Sequence, residues 1–197
     1  MKHIISFFLA TTVFFAACNN NKPKETTVKS DSNRIDKEAV DHSQNTIRDL
    51  EKQKEALGKL TPIPADQLKA MIPETLMGAK RINHEVSAAI GANVASGEYE
   101  MNDSTRITLN VYDCSGPAGA GIYGLQFAGL LNDLHDNDEE YIKSIDFNGY
   151  KGFEQCDKTS GDCTISFFSG GRFLVTLEGK HVEAPLLKQA AGGLNIK

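Results

Sequence analysis

Residues 112–124, "YDCSGPAGAGIYG", hold the densest set of side chains and turns that could do chemistry. Gly119, Gly121 and Gly124 have the G-x-G-x-x-G spacing of a dinucleotide-binding turn, in which a helix N-terminus receives a pyrophosphate. Asp146 stands at a tolerable distance for the acidic residue that would hold a ribose. Asp113 and Cys114 precede the glycines, and His135 and His181 are the bases that a thiol nucleophile would need. Further along, Asp136, Asp138 and Glu140 alternate as a calcium loop begins, but Tyr141 stands where such a loop needs Gly.

The elements around these residues argue against most of that chemistry. A dinucleotide site requires a parallel βαβ unit, whose strands read as continuous apolar runs. "TRITLNVYD" (105–113) alternates instead: Ile107, Leu109 and Val111 fall on one face, and Arg106, Thr108, Asn110 and Tyr112 on the other. That pattern marks an antiparallel sheet with one buried and one wet face. Gly116 and Pro117 are therefore expected to turn the chain, and Gly119, Gly121 and Gly124 to let a helix approach the sheet. No spacing links Cys114 to a histidine as a catalytic pair, and the cysteines lack the paired C-x-x-C of a metal site. We expect no catalytic residue, no metal and no cofactor. Asp113, Cys114, Gly116, Gly119 and Gly121 remain as a candidate binding loop.

The period of the sequence supplies the fold class. Residues 94–101 and 105–113 flank "NDS" as a β-hairpin, and a weaker strand falls around 79–90. A helix follows over about 118–136, with Ile122, Leu125, Ala128, Leu131 and Leu134 as its apolar side. Strands are expected near 141–147, 150–156, 163–168 and 172–178, with turn signals at "NG" (148–149) and "SGG" (169–171). A closing helix carries Pro185 in its first turn and Gly192 at its end. The expectation is α+β, an antiparallel sheet of about five to seven strands with helices packed on one face.

The chain ahead of that domain is organised differently. Residues 1–17 have a basic start at Lys2 and an apolar run, Ile4–Ala17, which is short for a membrane span and fits a signal peptide. Residues 18–32 are polar without apolar period and read as a flexible tether. Residues 33–60 carry Val40, Ile47, Leu50, Leu57 and Leu60 at helical spacing, interrupted by Lys54. They read as an amphipathic stalk helix ahead of the α+β domain, 61–197, rather than as a sustained coiled coil.

Ala16 and Ala17 before Cys18 resemble the lipobox of bacterial lipoproteins. The resemblance implies cleavage before Cys18, lipid on that residue and a cell-envelope location; "NNNKPK" after Cys18 lacks the acidic run that resembles a surface-export signal, so the periplasmic side is expected over the cell surface. Phe15 departs from the usual Leu. Several acyl chains would hold such a protein stably at a membrane. The partners implied are membrane lipid through acylated Cys18, and an envelope protein or glycan. A net charge of −5 and no basic stripe speak against nucleic acid. An exported compartment permits disulfides, and Cys156 and Cys163 bracket the turn "DKTSGD", so a cross-hairpin bond between them is expected. A pairing of Cys114 with one of the two is the alternative.

"IPETLMGAKR", "VASGEYEM", "ITLNVYDCSGPAG", "NGYKGFE" and "GGRFLVTLEGK", in that order, resemble a family of uncharacterised exported bacterial domains over about residues 61–197. Some members of that family carry a transposase label, which nothing in this chain supports. The layout faintly resembles the α+β sandwich of the photosystem protein PsbP. Neither likeness implies an activity or a catalytic residue. Two function classes follow: a non-catalytic envelope lipoprotein acting as a binding or structural module, or an exported hydrolase or thiol-dependent enzyme using Asp113 and Cys114.

Overall fold

The computed structural model describes residues 47–89, 91–147 and 149–197. The signal peptide, the tether, Cys18 and residues 33–46 of the expected stalk helix lie outside the described residues. All described residues belong to the unit Val40–Lys197.

Nine antiparallel strands form one sheet: β1 (Thr75–Leu76), β2 (Ala79–Ala89), β3 (Ala92–Asn102), β4 (Thr105–Asp113), β5 (His135–Asp136), β6 (Glu140–Phe147), β7 (Tyr150–Asp157), β8 (Cys163–Ser169) and β9 (Phe173–Lys180). Their spatial order is β1-β2-β3-β4-β9-β8-β7-β6-β5. Two meanders thus meet at the β4–β9 pair, where Val111 faces Val175 and Leu109 faces Leu177. The helices are α1 (residues 47–58), α2 (Ala65–Lys69), α3 (Gly116–Asn132) and α4 (Ala184–Gly192). Helix α3 carries the chain from the end of β4, at the centre, to β5 at the far edge.

The sheet is α+β but larger than the five to seven strands expected. The weak strand signal around 79–90 is a full strand of eleven residues. Two-residue strands β1 and β5 then extend the two edges. A pair of residues is too short to show alternation, so neither edge strand is visible as a sequence pattern.

Helices also pack on both faces, not on one. Leu68 of α2 and Leu187, Ala190 and Ala191 of α4 cover the face carrying Ile107, Leu109, Val111, Val175 and Leu177. On the opposite face, Leu57 of α1 and Ala120, Ile122 and Tyr123 of α3 pack with Phe153, Phe168 and Leu174. The second layer covers the end of the sheet where β8 and β9 lose their alternation: "FFS" and "FLV" place apolar side chains on both sides. Helix α1 accordingly lies on the domain, with Leu57 buried and Leu50 packed beside it.

Helix α3 departs from its expected form as well. It ends at Asn132, and Leu125 and Leu134 are 70% and 46% exposed. Among its described side chains Ala120, Ile122 and Tyr123 are buried and Leu130 packs partly against the same cluster, while the side chains of the expected Ala128 and Leu131 lie outside the described residues.

Candidate functional site

At the end of β4, Asp113 points into the protein beneath the start of α3. It is fully buried and saturated with partners. Nη2 of Arg172 lies 3.0 Å from both Oδ1 and Oδ2, and Nε donates to Oδ1 at 3.2 Å. The backbone N–H groups of Ile63 and Ser115 donate to Oδ2 and Oδ1 at 2.8 and 3.2 Å. Arg172 also donates to the Thr61 carbonyl at 3.0 Å. One carboxylate thus joins the 61–63 segment, the β4–α3 turn and the β8–β9 hairpin. A buried charge of this kind holds only with such a full set of donors.

Cys114 is a free thiol, also fully buried. Burial pushes its pKa up to about 12, and the Asp113 charge adds to the rise against a hydrogen bond from the Leu174 backbone. The thiolate is the nucleophilic form, so this cysteine is held in its inert state. Neither histidine reaches it. His135 Nδ1 sits 2.7 Å from the Asp133 carbonyl and its Nε2 3.3 Å from Glu140 Oε1. His181 follows β9, with Nδ1 2.9 Å from the Ser160 carbonyl. Cys114 pairs with the other end of that strand, where its N–H donates to the Arg172 carbonyl. Eight residues of strand separate the two by roughly 25 Å at ~3.3 Å per residue.

The glycines divide by role. Gly116 has φ +73, a left-handed turn that favours glycine. A Cβ on Gly119 would lie 2.4 Å from the Cys114 carbonyl carbon, so this residue alone sets how closely α3 approaches β4. Gly121, expected to share that role, faces open space, and Gly124 faces the side chain of Lys54 in α1. The strand before the turn is antiparallel to both of its neighbours. The parallel βαβ unit of a dinucleotide site is not formed around it.

Cys156 and Cys163 face each other across β7 and β8 and are joined by a disulfide, with Cα atoms 4.1 Å apart. Asp136 is paired with Lys158 at 2.6 Å, and Asn137 Oδ1 accepts the N–H groups of Glu139 and Glu140. The acidic stretch is thus a turn held by Asn137 and by Lys158 of the β7–β8 turn. Among the described residues no group of three or more His, Cys, Asp or Glu is placed to hold a metal ion, and no helix is long and apolar enough to cross a membrane.

Comparison with protein-family models, with curated proteins and with solved structures found no match. The accessible surfaces of the domain therefore carry the functional argument.

A polar one is the half of the second sheet face that α1 and α3 leave uncovered. A groove of about 480 Å³ there is lined by Arg106, Thr108, Gln155, Thr164 and Glu178, among others. Arg106 lies 3.7 Å from Glu98 and 3.8 Å from Glu100. Ser96 donates to Asn110 Oδ1 at 2.7 Å, and Asn110 Nδ2 donates to Glu178 at 3.1 Å. The face is a lattice of donors and acceptors on rigid strands.

Two structural residues escaped the sequence reading. Arg172 gave no signal, since its partner is 59 positions away. Glu154, only 2% exposed, takes hydrogen bonds from Tyr141 at 2.6 Å and Lys143 at 2.7 Å and pairs with Lys188. A charge between inward-facing Gly152 and Cys156 was the available clue, because strand alternation puts all three on one face.

Proposed function

We propose that this chain is a membrane-anchored envelope lipoprotein whose α+β domain is a non-catalytic module that binds an envelope partner, protein or glycan, through the uncovered polar sheet face. The anchor rests on the Ala16-Ala17-Cys18 signal after an apolar run. The observation that carries the binding reading is the groove along Arg106, Thr108, Gln155, Thr164 and Glu178. Thr108, Gln155 and Thr164 make no protein hydrogen bond through their side chains among the described residues. Such groups sit on strands whose backbone is already ordered, so bonding a partner costs only the ordering of their own side chains.

The enzymatic reading has less support. Asp113 and Cys114 are both sealed from solvent, one by an ion pair and the other in its protonated form. The resemblance to exported bacterial domains agrees with the envelope reading and adds no activity.

The test combines two measurements on the full chain in a bacterial host. Metabolic labelling with an alkyne-bearing fatty acid should mark the wild type and not Cys18→Ala, and only the wild type should sediment with membranes. In intact envelopes, cross-linking should capture the same partner with wild type and with Cys114→Ala. Arg106→Glu with Gln155→Lys should lose it. An unlabelled, soluble wild-type product rejects the anchor; capture unaffected by the double substitution rejects the polar face.

A further inference from the structure

A second concavity lies on the opposite face of the sheet, between the α2–β1 segment and the C-terminal end of α4. It measures about 640 Å³, within the size range of small-molecule sites. Met71, Leu76, Met77 and Leu194 supply apolar walls, and Thr75, Gln189 and Asn195 supply polar groups. None of its eleven lining residues is ionisable, in a chain where 24% of residues are charged. The groove on the other face, by contrast, is lined by Arg106, Glu140, Asp157, Asp162, Glu178 and Lys180 among others. A cleft without charge gives an ionic ligand no countercharge to set against its desolvation.

The wall is fixed from behind. Tyr99 Oη and Arg81 Nη1 both donate to the Pro73 carbonyl, at 2.6 and 3.2 Å, and Arg81 also bonds the Ile72 carbonyl at 2.6 Å. The other side is helix α4, seated on the core by Leu187, Ala190 and Ala191. Thr75, Gln189 and Asn195 make no protein hydrogen bond through their side chains among the described residues.

Met77 gives the cleft its second, independent mark. Leu76 pairs with Ala79, so Met77 and Gly78 form a two-residue hairpin turn with φ +51 and +85. Both central positions of such a turn are left-handed, where Asn-Gly or Asp-Gly is the favoured pair. A methionine there is strained by its own Cβ. The only other described non-glycine residue with positive φ is His181, which is held by hydrogen bonds to Asp162 and Ser160. Met77 has no such tether. What its position supplies is a thioether chain over the cleft, facing the core, with Met71 also in the wall. Flexible, polarisable methionines adapt to varied apolar shapes, and strain of this kind gathers at ligand clamps.

We propose that this cleft is a binding site for a small, uncharged amphipathic molecule. Its apolar body lies against Met71, Met77 and Leu194, and its hydrogen-bonding group meets Gln189 and Asn195. The inference depends neither on the lipid anchor nor on the polar face.

The test titrates the purified full chain with N-phenyl-1-naphthylamine, a neutral aryl amine that brightens in apolar surroundings. Expected are saturable one-site binding and at least tenfold weaker binding of its anionic analogue, 8-anilinonaphthalene-1-sulfonate. Met77→Gly should weaken the neutral probe at least fivefold while changing Tm little, since relief of the left-handed turn offsets the partly buried contact that the variant gives up. A Tm fall with unchanged affinity would make Met77 a structural plug and overturn the proposal. Gly193→Leu is the second variant: Gly193 lines the cleft and a Cβ there meets only the Ala190 carbonyl oxygen at 3.5 Å, so a larger side chain should be tolerated at this position and should occupy cleft volume. It should abolish the signal. Absence of saturable binding, equal binding of the sulfonate, or full affinity in Gly193→Leu would likewise overturn the site.

Discussion

Arg172 Nη2 stands 3.0 Å from each carboxylate oxygen of the fully buried Asp113, tying the β8–β9 hairpin to the end of β4. The pair sits where the sequence places its most reactive-looking stretch, and it is a structural clasp. Removing one partner strands the other. Asp113→Ala should therefore cost about 3 kcal/mol or more, read as a lower urea midpoint with the slope unchanged. Asp113→Asn should cost less, because the amide oxygen still accepts from a backbone N–H. A loss under about 1 kcal/mol for the alanine variant would place the pair with weak surface ion pairs.

The glycine trio gives a paired comparison. Gly119→Ala should destabilise severely, since its Cβ would fall 2.4 Å from the Cys114 carbonyl carbon and 2.6 Å from the Asp113 carbonyl oxygen, both backbone atoms. Gly121→Ala meets nothing within 4 Å and should stabilise the helix by about 0.5–1 kcal/mol. Thermal unfolding of the two variants checks both signs at once. A phosphate-binding turn would instead be damaged at both positions.

Thiol counting tests the cysteines. Native protein with lipid on Cys18 should show no thiol reactive toward Ellman's reagent, because Cys114 is buried with its pKa pushed up to about 12 and Cys156 is bonded to Cys163. Unfolding without reductant should release one. One reactive thiol in the native protein would report an unmodified Cys18.

The disulfide closes a short loop, its two cysteines seven positions apart in sequence. On the chain-entropy argument it contributes about 2–3 kcal/mol. Cys156→Ala with Cys163→Ala should lower the unfolding free energy by about that amount and leave the far-ultraviolet dichroism of the sheet intact. A cost near zero would mean that the β7–β8 pairing constrains the unfolded chain no further than its turn does.

Glu154 gives the pH prediction. Burial alone would raise its carboxyl pKa, but the hydrogen bonds from Lys143, Lys188 and Tyr141 outweigh burial and hold it below the ordinary range. The folded state then binds this proton less readily than the unfolded chain. Its stabilisation is complete above the unfolded carboxylate value of about 4.3 and is lost as pH falls through the lower folded value. The stability difference between wild type and Glu154→Gln should be constant from neutral pH down to about 5 and shrink below that. A difference that grows on acidification would reverse the assigned shift.

Much of the scaffold was legible in the residues because it is local. "TRITLNVYD" alternates strictly, and β4 spans those residues with Ile107, Leu109 and Val111 buried. Pro185 in the first turn of α4 and the "NDS" turn between β3 and β4 fall where backbone chemistry requires. The edges were not legible, since β1 and β5 have two residues each. Nor was the second helical layer, for the apolar residues of α1 are sparse and only Leu57 is fully buried there.

The chemistry divides the same way. By itself the sequence determined which side chains are available, the alternation that excludes a parallel nucleotide-binding unit, and a front end that resembles a lipidation signal. Those are properties of neighbours along the chain. Only the tertiary structure decided that Asp113 belongs to Arg172, that Cys114 is sealed, that one half of the second sheet face stays open, and that an uncharged cleft forms beside Met77. Each of these depends on strands and helices far apart in sequence being brought together, and burial, ion pairing and cavity shape exist only once they are.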